Sequence, residues 1–159
     1  MKKNLITIAA LGLALNLSAQ DLPKTQIRDL NSGKKTAFNE ALEKGKVTLI
    51  SFWATWCVPG KREVKTIAAK MADWKKQADF NYIAIAVDQQ NGELARTYAQ
   101  GWHFPVYIDP NNDLKRLLNF HPLPYILIVD KKGKIVFTHT GYDDGTLILA
   151  KLKELAGAK

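Results

Sequence analysis

Residues 47–63 read VTLISFWATWCVPGKRE, and this stretch decides the fold. Its first half, Val47–Trp53, is a near-continuous run of β-branched and aromatic residues. Such a run marks a central strand covered on both faces, because a strand with one wet face alternates apolar and polar residues. The period then changes. Val64, Ile67, Ala68, Met71 and Trp74 recur at helical spacing, which predicts a helix from about Pro59 to Ala78. Pro59 suits the first helical turn, where its missing N–H is not needed. A buried strand ends and a helix begins around the single cysteine of the chain, Cys57.

The flanking sequence continues the alternation. Phe80–Val87 reads as a second buried strand. Asn91–Gln100 reads as a short helix with Leu94, Tyr98 and Ala99 on its apolar side. Val106–Ile108 is a short strand and Asp113–Phe120 a short helix. Tyr125–Asp130 and Lys134–Thr140 flank Lys131-Lys132-Gly133 as a β-hairpin, and Gly145–Ala156 closes the chain as a helix. On the N-terminal side, Thr25–Leu30 alternates weakly and reads as an edge strand. Asn31–Lys34 is a turn, and Thr36–Gly45 a short helix or irregular segment with Phe38, Ala41 and Leu42 inward. Strand–helix alternation followed by a hairpin implies an α/β fold, a mixed β-sheet with helices on both faces.

At 159 residues and 47% hydrophobic, the chain is one ordinary domain with a real core, not a disordered segment. The net charge of +8 is scattered in short pairs with no aromatic–basic alternation, so no nucleic-acid partner is expected. One cysteine excludes an internal disulfide framework and any Cys-clustered metal site. His103 and His139 have no recognisable partners, and neither metal nor cofactor is expected. Residues 1–19 have a basic start (Lys2, Lys3), an apolar stretch from Leu5 to Leu17 and a small-residue cut site. They read as a signal peptide, too short for the ~20 residues that span a bilayer. The expectation is a mature domain over residues 20–159 with no stable membrane insertion, exported to the periplasm.

Cys57 carries the chemistry. Unpaired N–H groups and the positive end of the helix dipole favour a thiolate over a thiol, and Lys61 and Arg62 add positive charge one turn on. The thiolate is the nucleophile of disulfide exchange. Trp56 offers a flat apolar surface to a peptide or a small thiol. Glu63 works the other way: a carboxylate near the thiol disfavours its ionisation, or accepts its proton.

The segment WATWCVPGKRE resembles the thioredoxin-fold active-site segment WATWCxPCRxE, and most resembles the exported TlpA/ResA-like thiol–disulfide oxidoreductases. The likeness runs along nearly the whole mature chain. IRDLNSGK (27–34) is similar to the family's opening strand and turn, and GKVTLISFW (45–53) to its central strand. LPYILIVDKKGKIV (123–136) resembles the cis-proline loop and the hairpin after it, and Gly141 the glycine after the last strand. The resemblance implies a thioredoxin-like fold in which Pro124 is cis and faces Cys57. Leu123, just before it, then offers backbone groups to an extended substrate. His121 reads as a solvated loop residue.

The pattern breaks at position 60, where Gly stands in place of the family's second Cys. The dithiol mechanism uses that Cys to resolve the mixed disulfide formed by the first. Without it, an adduct at Cys57 persists until an outside thiol attacks. Ser51 occupies the position of the buried Asp of thioredoxins proper, which leaves Glu63 as the proton acceptor. Three readings follow. The first is a monothiol oxidoreductase acting on protein or low-molecular-weight thiols and disulfides. The second is a redox-inactive peptide-binding or chaperone-like module. The third, more distant, is a peroxidase-like thiol sensor; it fits worse, because one residue rather than two separates Thr55 from Cys57. A monomer is the default expectation, and a Cys57-linked dimer the variant an exported lone thiol permits.

Overall fold

The computed structural model describes residues 20–88 and 92–157; the expected leader, residues 1–19, lies outside them. Eight strands form one mixed sheet. In chain order they are β1 (Gln20–Asp21), β2 (Gln26–Asp29), β3 (Lys35–Ala37), β4 (Val47–Trp53), β5 (Phe80–Ala86), β6 (Val106–Ile108), β7 (Tyr125–Val129) and β8 (Lys134–Thr140). Their spatial order is β1-β8-β7-β4-β5-β6-β2-β3. β4, β5 and β6 run parallel, and β7 returns antiparallel to β4. The helices are α1 (Val58–Gln77), α2 (Glu93–Tyr98), α3 (Asp113–Leu117) and α4 (Thr146–Ala156).

Side chains alternate across a strand, and here both faces are apolar. Leu49 and Trp53 of β4 join Tyr82 and Ala84 of β5 in one core. That core is roofed by Val64, Ile67 and Trp74 of α1 and by Ile148 and Leu152 of α4. Ile50, Phe52, Ile83 and Ile85 point into a second core with Leu114 of α3, Phe38, Phe120 and Tyr125. The covered central strands account for the unbroken apolar runs. Gly145, at φ +98°, lets α4 start hard against α1: a Cβ there would stand 2.5 Å from a ring carbon of Trp74.

Three expectations at the periphery are corrected. Thr25–Leu30 contains a strand, but β2 lies second from the edge, because Lys35–Ala37 pairs outside it as β3. The segment 36–45 therefore opens as a strand, with only Phe38–Glu40 forming a 3-10 turn. In α2 the buried residue is Ala95, while Leu94 points outward and is 73% exposed. A helix of barely two turns is oriented by its neighbours more than by its own pattern.

Candidate active site

The carboxyl end of β4 runs directly into α1, and Cys57 is the N-cap of that helix. Its backbone is extended, and its Sγ accepts a hydrogen bond from the Gly60 N–H at 3.4 Å. Cys57 is 7% exposed. Its neighbours in sequence are open to solvent, with Trp56 at 65% and Val58 at 70% exposure. The sulfur thus sits just below the surface between two exposed apolar side chains.

Beneath it, Cys57 packs in the second core with Ala54, Phe120 and Tyr125, against which the half-buried Leu123 is also packed. Phe120 and Tyr125 stack with centroids 4.4 Å apart, and Phe52 lies 4.7 Å from Phe120. This aromatic stack underlies the loop of Leu123 and Pro124, whose peptide bond is cis. The Pro124 carbonyl accepts from the Gly141 N–H at 2.9 Å, tying the loop to the end of β8. Cys57, Trp56 and the proline loop therefore share one end of the sheet, and His121 is exposed.

The place of the missing second cysteine is structurally intact. A Cβ on Gly60 would stand 3.2 Å from Cys57 Sγ and 3.5 Å from its Cβ. Disulfide-bonded cysteines have Cβ atoms ~3.5–4.5 Å apart.

Glu63, on the inner face of α1, is fully buried. One carboxyl oxygen accepts from the Asp143 N–H at 3.2 Å, while among the described residues Oε2 has no partner. Burial pushes the Glu63 carboxyl up to about 7. The bond from Asp143 pulls the other way, and the Asp143 charge adds to the rise. Burial likewise raises the Tyr82 phenol far above its usual range. No hydrogen bond joins Glu63 to Cys57; a proton passing between them needs a bridging atom.

The sequence reading missed Asp88, which follows β5. Its buried carboxylate accepts from the Thr55 N–H at 3.0 Å and from the Thr55 hydroxyl. It anchors the turn that delivers Trp56 and Cys57. Among the described residues no cluster of His, Cys, Asp and Glu could hold a metal ion, and no helix is long and apolar enough to cross a membrane.

Comparison with known proteins agrees with this geometry. The AhpC/TSA family profile matches residues 18–138. The thiol–disulfide oxidoreductase ResA of Bacillus subtilis is 29% identical over 124 residues, 76% of this chain and 66% of its own. The chain thus spans just under two thirds of the length of that relative. A thioredoxin-like protein from Porphyromonas gingivalis superposes with TM-score 0.74 at 37% identity, over 85% of this chain and 91% of that one. The exposed lipoprotein thioredoxin Etrx1 of Streptococcus pneumoniae superposes at 0.65 with 26% identity, over 84% and 100%. With its thioredoxin-like sheet, its cis-proline loop and a cysteine capping the helix after the central strand, the chain has a thioredoxin-like fold and belongs to the AhpC/TSA family.

Proposed function

We propose that the protein is an exported monothiol thiol–disulfide oxidoreductase working through mixed disulfides at Cys57. The observation that carries this reading is the position of Sγ at the start of α1, bonded to the Gly60 N–H. A sulfur at a helix start, within reach of a backbone N–H, is placed to act as the nucleophile of disulfide exchange. The thiolate attacks one sulfur of a substrate disulfide: the Cys57–S bond forms, the substrate S–S bond breaks, and its other sulfur leaves as a thiolate. An external thiol then attacks the adduct, leaving as a new disulfide and returning Cys57. Trp56 and the Leu123-Pro124 loop frame the substrate. Glu63, held near neutrality, takes the thiol proton through a bridging atom.

The exposure of Cys57, only 7%, favours a second reading, a binding module that uses the same cleft without redox turnover. Mass spectrometry of protein recovered from the exported compartment without reductant separates the two. The first reading expects a disulfide adduct on Cys57, which also names the partner. A wholly free thiol that resists alkylation until the protein is unfolded supports the second.

A further inference from the structure

The outer face of α1 gathers cations beyond the thiol's first turn. Lys61 and Lys65 lie one helical turn apart, and each ammonium sits 5.2 Å from the centroid of the Tyr98 ring. Tyr98 is held there by the buried Trp53, 5.6 Å away. Arg62, beside them, lies 4.7 Å over Tyr142. The three cations and Tyr98 line an open groove of about 510 Å³ that starts at Val58, the residue after the thiol, and ends at Ala69.

The charge of this groove is uncompensated. Lys46, Lys76, Arg116, Lys134 and Lys151 each meet a carboxylate. Among the described residues none does so for Lys61, Arg62 or Lys65. Three like charges lie within ~6 Å of helix rise, a concentration that raises the local potential and attracts anions. Cation–π attraction to the one Tyr98 ring holds both ammonium groups at the groove.

The geometry points to an acidic, extended polypeptide segment as the occupant. From Val58 to Ala69 the helix rises ~16 Å, the reach of about five residues of extended chain. The groove therefore selects substrates that carry carboxylates next to the cysteine attacked by Cys57. This deepens the thiol–disulfide reading and rests on it for catalysis, though not for binding.

Three model peptides test it. Each carries one cysteine activated as a 2-thiopyridyl disulfide, followed by four Glu, four Gln or four Lys residues. Release of thiopyridone reports exchange at Cys57. Fluorescent versions with Ser for Cys report binding by anisotropy. At low salt the Glu peptide should bind and exchange about tenfold better than the Gln peptide, with the Lys peptide poorest. The gap should close as salt shortens the screening length. Lys61→Gln with Lys65→Gln should bring the Glu-to-Gln ratio to about one, and Lys65→Glu should invert it. The ratio is the readout because a general change in thiol reactivity cancels from it. Equal behaviour of the Glu and Gln peptides, or a ratio unmoved in both variants, overturns the groove. A salt-sensitive preference in binding with no exchange by any peptide upholds the groove and overturns the thiol reading instead.

Discussion

Two helices of this protein begin in opposite ways. At α3 the buried carboxylate of Asp109 accepts three backbone N–H bonds, from Asp113 and Leu114 at 2.9 Å and from Lys115 at 3.2 Å. At α1 the cap is a sulfur, which takes one donor at 3.4 Å. On α1 itself the buried carboxyl of Glu63 keeps one oxygen without a partner among the described residues. Burial raises both carboxyls, but three hydrogen bonds oppose the rise at Asp109 and one at Glu63. A helix start whose donors are saturated stabilises the chain. One capped by a weak acceptor leaves its backbone donors less committed.

The largest effect should come from Gly60→Cys. The geometry at position 60 already meets the Cβ spacing of a disulfide. An internal thiol resolves an adduct far faster than a dilute external one. With a recycling reductant, the variant should reduce a protein disulfide about a thousandfold faster than the parent, some 4 kcal/mol of barrier. Equal rates would mean that the gap at position 60 does not limit turnover. Next comes the cap itself. Asp109→Ala strands three backbone donors and should cost about 4 kcal/mol, with a melting temperature roughly 10–15 °C lower. Cys57→Ala should cost about 1 kcal/mol or less while abolishing exchange. Similar losses in the two variants would erase the contrast between the helix starts.

The sequence is most legible where the chain is most buried. β4, β5 and β7 stand close to where their apolar runs put them, because strands covered on both faces need unbroken apolar sequence, and β8 follows from the Lys131-Lys132-Gly133 turn that pairs it with β7. No apolar pattern announces β3, because Lys35, Thr36 and Ala37 bury little; pairing with β2 makes them a strand. The site divides similarly. Cys57, Trp56, Gly60 and the Leu123-Pro124 loop are local signals. Asp88 and Asp143 act on Thr55 and Glu63 across 33 and 80 residues. No local pattern announces such contacts, because the fold alone creates them.

Glu63→Gln sharpens the contrast between the carboxylates. With its folded value near 7 and an ordinary value of 4.5, the native state holds a proton that the unfolded chain has released. The stability from the neutral form is complete below about pH 4.5 and is lost as pH rises through about 7, a loss of about 3 kcal/mol. Glutamine keeps the acceptor for the Asp143 N–H and cannot ionise. Denaturant titrations at a series of pH values should show the wild-type decline and a flatter profile for the variant. A decline that persists unchanged would assign it to another group.

The smallest effect concerns the turn before the thiol. Thr55→Val removes the hydroxyl given to Asp88 but keeps the shape of the side chain and the backbone N–H bond. A single hydrogen bond to a carboxylate is at stake, which sets the loss at about 2 kcal/mol. The turn positions Trp56 and Cys57, so the exchange rate should fall about threefold while the melting curve moves by a few degrees. The ratio of the two effects carries the information. If Asp88 merely stabilises the fold, the exchange rate of the native protein should not change. If it aims the thiol, the rate should fall at temperatures where the variant is fully folded, and Thr55→Ser, which keeps the hydroxyl, should restore it.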